Sequence, residues 1–403
     1  MNTPRRRFGE ARVAPWLSSL ALCLAPVACS GEDGEADPSG AGGAGVTSAT
    51  VGAGGAGGEG EPACPPGSHP GASGRCEATL GAWQVGPPLQ ERRDHHVTFV
   101  AETAAGAFLY AGVGAVDQKS AVSSIERAPI AADGSVGAWQ TLPVTLQAIG
   151  PGVARAGRRV LVAGGIRAGG VTAKTWLTTV ADDGALGPFE PGPDMLAPRF
   201  HLPLEVHDGW VYAVGGIQAD GTSQASVERA PFDATRGVGA WEPATALPGP
   251  RSHHALVLAA GSLYAIAGID RYDGKAFLDK SLADVLRARI EPGGGLGPWE
   301  KVAELAAPLA VHSAFAHASA IYVVGGLEGE GHAGVFTGAV RRMAVAEDGS
   351  LGPAEPLAAA LPLARGHSHQ TPMLAGVVYS VAGAAEVAHV MTSQAEVFFA
   401  RFE

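Results

Sequence analysis

The chain has 403 residues, is 46% apolar but only 17% charged, and carries 58 glycines and a formal net charge of -11. This balance suits a turn-rich all-β protein with ample material for a large core. It argues against a nucleic-acid partner, because neutralising phosphates requires clustered Lys and Arg.

Residues 1–28 read as a signal peptide. Arg5, Arg6 and Arg7 precede an apolar run from Val13 to Ala28, broken by Pro15 and Pro26 and short for a membrane span. The PVAC at 26–29 resembles a bacterial lipobox, with Pro26 departing from the usual Leu, and the resemblance implies lipidation of Cys29. RRRF at 5–8 also resembles part of a twin-arginine signal. Residues 29–62 are Gly, Ala, Ser and acid, with nothing to bury, and are expected to form a flexible tether reaching roughly 30 Å. The expected location is the outer membrane or cell surface, or its periplasmic side, with membrane contact only through the lipid. Of four cysteines, Cys23 and Cys29 belong to the signal, while Cys64 and Cys76 bracket CPPGSHPGASGRC. In an exported chain this pair is expected to close a small disulfide loop over 63–79.

From Leu80 onward one unit recurs. An aromatic or apolar residue stands four positions before Gly at Tyr110/Gly114, Leu161/Gly165, Tyr212/Gly216, Tyr264/Gly268, Tyr322/Gly326 and Tyr379/Gly383. Gly-x-aromatic alternates with it at Trp83, Trp139, Phe189, Trp241 and Trp299, with Ala354 in the degenerate sixth copy. Each period reads as four short strands, shown by HALVLAA, SLYAIAG, SLADVLRARI and GPWEKV in the fourth. Asp133-Gly134, Asp183-Gly184 and Asp348-Gly349 mark tight hairpins between third and fourth strands. A four-stranded sheet has two faces to bury, and radial stacking covers both.

The period, the paired glycines of VGG and AGG and the spaced aromatics resemble the kelch family of β-propellers over roughly 80–402. Three units keep only one glycine of the pair (AGVG, IAGI and VAGA). The chain enters on an outermost-type strand, LGAWQV at 80–85, and leaves on a third-type strand, QAEVFFARF at 394–402. The expected domain at 80–403 is therefore a six-bladed kelch-like β-propeller with four antiparallel strands per blade, the sixth completed by the N-terminal strand. This pairing would also hide the open edges.

Strand alternation places the loop entering each first strand and the loop leaving each second strand at one end. The entering loops carry Arg93-x-His95, Arg199-x-His201, Arg251-x-His253 and Arg365-x-His367, with His312 lacking its Arg and with second histidines at His96, His254 and His369. Three readings stand beside one another. The pairs are structural, or they form a positive rim for an anionic or sugar ligand, or the imidazoles hold a metal, with His201, His253 and His312 as candidates. The leaving loops differ between units and add Asp270, Arg271, Tyr272, Asp273 and His332 as polar candidates.

Kelch-like copper oxidases need a Cys cross-linked to Tyr, and no Cys follows Cys76. The resemblance leaves sugar-acid isomerases, epimerases or lyases acting through the Arg/His ring as the enzyme alternative. No GxSxG, HExxH, Walker or dinucleotide fingerprint stands in a fitting context. The expectation is a monomeric, non-catalytic binding or scaffolding module for a protein or carbohydrate, without a cofactor.

Overall fold

The computed structural model describes residues 64–71, 74–271, 280–330 and 334–403. The signal peptide, the tether, Cys29, Tyr272, Asp273 and His332 lie outside these residues. Among the described residues every regular element is a β-strand.

Among the described residues, six antiparallel sheets of four or five strands repeat the order first, second, third, fourth, beside five small sheets of two or three strands. The first comprises Val97–Thr103, Gly106–Gly112, Ile125–Ile130 and Gln140–Thr141. The second comprises Gly152–Ala156, Arg159–Ala163, Thr175–Thr179 and Glu190–Gly192. Leu204–His207, Trp210–Val214, Val227–Asp233 and Glu242–Ala244 build the third, with Gly237–Val238 added in its hairpin. Ala255–Ala259, Ser262–Arg271, Lys280–Arg289 and Glu300–Glu304 build the fourth. The fifth has Ser313–His317, Ala320–Val324, Val340–Ala344 and Glu355–Pro356. In the sixth, Met373–Leu374, Val377–Val381 and Val397–Arg401 are followed by Gln84–Gly86, so the first long-range strand pairs with the last.

The second strands are buried along nearly their whole length, which is why their sequences are continuous Val, Leu, Ile, Tyr and Ala runs with no polar alternation. Burying each such side chain stabilises the fold by roughly 1.5–3 kcal/mol. Adjacent sheets share apolar clusters: Phe99 and Tyr110 with Val160 and Trp176, Leu161 with Val211 and Phe232, Tyr212 with Leu256 and Leu263. The series continues with Tyr264 against Ile321 and Met343, Tyr322 against Val378 and Phe398, and then Tyr379 and Val397 against Val100 and Leu109 of the first sheet.

The marker tyrosines explain their own recurrence. Four of the five extend from a second strand to a carbonyl in the next sheet's third-to-fourth hairpin: Tyr110 to Gly184 at 2.9 Å, Tyr212 to Gly294 at 2.9 Å, Tyr264 to Gly349 at 2.7 Å and Tyr379 to Gly134 at 3.0 Å, while Tyr322 donates to Ala78 O at 3.5 Å. Those glycines lie at φ of 77 to 79, in the left-handed region that a tight hairpin turn requires (Gly184 77, Gly134 78, Gly294 78, Gly349 79). The outer tryptophans bond backward, Trp139 Nε1 donating to Pro87 O at 3.0 Å and Trp299 Nε1 to Thr245 O at 2.9 Å.

Cys64 and Cys76 form a disulfide, and the small hairpin His69–Pro70/Cys76–Glu77 that it closes packs beside the C-terminus, where Thr79 and Glu403 exchange backbone hydrogen bonds.

Candidate functional site

The six entering loops share one backbone geometry. His95, Gly150, His201, His253, Val311 and His367 stand at equivalent positions, with φ of 53, 62, 49, 54, 54 and 56. Their amides and carbonyls join one loop to the next: His95 N donates to His367 O, Gly150 N to His95 O, His201 N to Gly150 O, Val311 N to His253 O and His367 N to Val311 O. The residue before each of them bridges the loop that leaves its own second strand: Asp94 with Ala115, Ile149 with Ile166, Phe200 with Ile217, Ser252 with Ile269, Ala310 with Leu327 and Gly366 with Ala384. Entering and leaving loops therefore meet at one end of the molecule.

The residue after each position packs onto the marker glycine. A Cβ on Gly114, Gly268 or Gly326 would lie 3.0, 2.7 or 2.7 Å from the Cβ of His96, His254 or His312. This contact fixes the register and corrects one expectation. His312 belongs with His96 and His254, one residue beyond the axial position, which Val311 fills in the fifth unit. The candidate trio His201, His253 and His312 is accordingly not a ligand set.

The arginines correct a second expectation. Arg93, Arg199, Arg251 and Arg365 are buried, their guanidinium groups turned into the sheets and away from the mouth. Arg93 donates to Glu126 Oε1 at 2.6 Å and to Ser124 O at 2.9 Å. Arg199 pairs with Glu228 and donates to Gly215 O at 2.9 Å, and Arg251 grips both oxygens of Asp284 at 2.9 and 2.8 Å. Arg365 donates instead to the Glu396 and Ser380 carbonyls and lies over the Phe398 ring, so burial lowers its pKa to about 9. With three of the cations paired to acids and the fourth held by carbonyls inside the sheets, they do not form a positive rim.

What reaches the axis is a knot of imidazoles. Ring centroids are 4.2 Å apart for His95 and His367, 4.6 Å for His95 and His201, and 3.9 Å for His201 and His253. His369, four residues beyond Arg365, folds back to 5.1 Å from His201 and 5.7 Å from His95. One nitrogen from each of His95, His201, His367 and His369 lies within 4.8 Å of the others. The buried Asp94 carboxylate accepts from His95 Nδ1 and is itself held by Ser393 Oγ at 2.5 Å and by the Gln118 amide at 3.2 Å. Desolvation holds His201, His253 and His367 well below the usual imidazole pKa and His369 at about 3, reinforced by the neighbouring rings. His201, His253, His367 and His369 are therefore neutral at physiological pH.

His369 also lines a cavity of about 460 Å³ that runs down the first strands past Thr98, Arg155, Glu205 and Gln370. Burial pushes the Glu205 carboxyl up to about 8. Asp270 and Arg271 end the second strand of the fourth sheet, just beyond the Ile269 that bridges Ser252, and Arg271 stands opposite Lys280 in the strand register.

No protein-family model and no curated protein matches the sequence. Among solved structures the chain is similar to one titled "Structure of YjhT", with a TM-score of 0.57 and 13% identity over 77% of this chain and 95% of that one. The fold is β-propeller-like. At that identity the likeness speaks for the fold alone.

Sequence reasoning missed Asp94 and the acids that neutralise the arginines. Two of the latter were visible as a repeat, SIERAP at 124–129 and SVERAP at 226–231, which carries Glu126 and Glu228 to the same place in the third strand.

Proposed function

We propose that the chain is an exported, lipid-anchored, six-bladed kelch-like β-propeller acting as a non-catalytic binding or scaffolding module for a protein or carbohydrate. In this reading the six sheets are blades, and Gln84–Gly86 completes the last one beside Val397–Arg401. Support comes from the Tyr379 bond to Gly134 and from the apolar cluster shared by the sixth and first sheets. The observation that carries the functional part is the set of six bridges between entering and leaving loops. They give one end of a rigid frame both the axial histidines and the loops that differ most between units, the arrangement in which variable loops confer specificity.

The enzyme alternative, a sugar-acid isomerase, epimerase or lyase using an Arg/His ring, is less well supported, because buried acids and backbone carbonyls already occupy the arginines. A glycan array combined with chromatography of incubated acidic sugars separates the two. Retention of a glycan or envelope protein without chemical change is the expected result, and turnover of an acidic sugar would overturn it.

A further inference from the structure

We propose that His95, His201, His367 and His369 form an axial binding site for a borderline transition-metal dication of the zinc or copper class. The residues come from the first, third and sixth entering loops, remote in sequence, and one nitrogen of each lies within 4.8 Å of the others. That spacing lets four donors close on one ion with small ring rotations, since metal–nitrogen bonds of about 2.0–2.1 Å separate ligand atoms by roughly 3–4 Å.

Three further observations point to a ligand and not to packing alone. First, His201 is buried, yet its Nδ1 has no hydrogen-bond partner, and the same is true of His369 Nε2. An orphaned polar atom in such a place is costly unless something else satisfies it. Second, the backbone does not demand an imidazole there. Gly150 and Val311 hold the same left-handed turn in the second and fifth units, and His369 stands outside the six-fold position altogether. Third, Asp94 receives the Nδ1 proton of His95, which directs the Nε2 lone pair outward from that pair. A carboxylate behind a histidine is the usual way a metal-binding ring is oriented and its basicity raised. Asp94 is anchored from two sides, by Ser393 and by the Gln118 amide, and so holds the ring in place.

The donor set also selects the ion. Four imidazoles with no carboxylate among them disfavour calcium and magnesium, which take oxygen ligands, and favour copper first, with nickel and zinc below it. Access runs along the cavity that His369 lines. The site does not depend on the binding-face reading, because ligand capture by the loops can be measured in chelator.

The test uses the tag-free, chelator-washed full chain with its disulfide intact. Titration with Zn²⁺ or Cu²⁺ followed by calorimetry should give one saturable equivalent per chain, and X-ray absorption at the metal edge should give four nitrogen scatterers at about 2.0–2.1 Å. His369→Ala should weaken binding on the order of 100-fold and Asp94→Asn about 10- to 100-fold, with melting curves confirming that each variant is folded. His389→Ala, at an exposed loop tip, should leave affinity unchanged. Absence of saturable uptake by the wild type, a shell of oxygen or sulfur, or full affinity in a folded His369→Ala protein would each overturn the site. The absorption spectrum of the wild type decides the matter even if a variant fails to fold.

Discussion

The buried imidazoles make acid the sharpest perturbation of this fold. His96, His201, His253, His254 and His367 are held well below the ordinary value of 6.5, and His312 and His369 sit at about 3. A histidine with a depressed folded pKa imposes no penalty above the unfolded value. Below it, the unfolded chain takes up a proton that the folded chain refuses, so stability falls by about 1.4 kcal/mol per pH unit per group until the folded pKa is reached. Between pH 6.5 and 5.0 each group that stays neutral in the fold therefore costs about 2 kcal/mol, and the buried imidazoles all act in the same direction. Glu205 works the other way. Its pKa is raised to about 8, so its stabilisation is complete below the unfolded value near 4.5 and is lost as pH rises through 8. Acidification from pH 7 to 5 thus returns about 3 kcal/mol. The net loss rivals the whole stability of a typical domain, ~5–15 kcal/mol, and unfolding is expected near pH 5. Urea unfolding followed by tryptophan fluorescence, in chelator at pH 8, 7, 6 and 5, measures it. A change under about 1 kcal/mol between pH 7 and 5 would refute the reasoning.

Two experiments probe the frame. Glu228→Gln leaves the buried Arg199 without its counter-ion, and urea unfolding should show a loss of about 3–5 kcal/mol, while adding Arg199→Met should recover most of it. Ala382 occupies at φ 50 the place that Gly164, Gly215 and Gly325 fill in other units. Ala382→Gly should therefore raise the unfolding free energy by about 1 kcal/mol, as release of a left-handed alanine would, whereas a loss of stability would show that the methyl packing outweighs the strain.

Strand positions were legible in the sequence because burial on both faces writes continuous apolar runs, and because Tyr…Gly and Gly-x-Trp recur in alternation. The pairing of Gln84–Gly86 with Val397–Arg401 followed from which strand type begins and ends the repeats. The site was less legible. Arg-x-His announces itself, but which way Arg199 turns is decided by Glu228, 29 positions later in the chain and adjacent only after the sheet forms. His312 was displaced by one place because its neighbour Val311 carries the axial backbone conformation without any imidazole to mark it. Asp94 sits between two conspicuous residues, and only the fold brings Ser393 and Gln118 onto it.

The proposal that one end of this β-propeller-like fold is the binding end is tested most directly by photo-crosslinking in intact cells. A photoreactive residue replaces Val390, exposed in a leaving loop, or Asp183 or Asp348, exposed in the third-to-fourth hairpins at the other end. The account predicts a discrete adduct from position 390 and none from 183 or 348. Adducts only from 183 or 348 would contradict it.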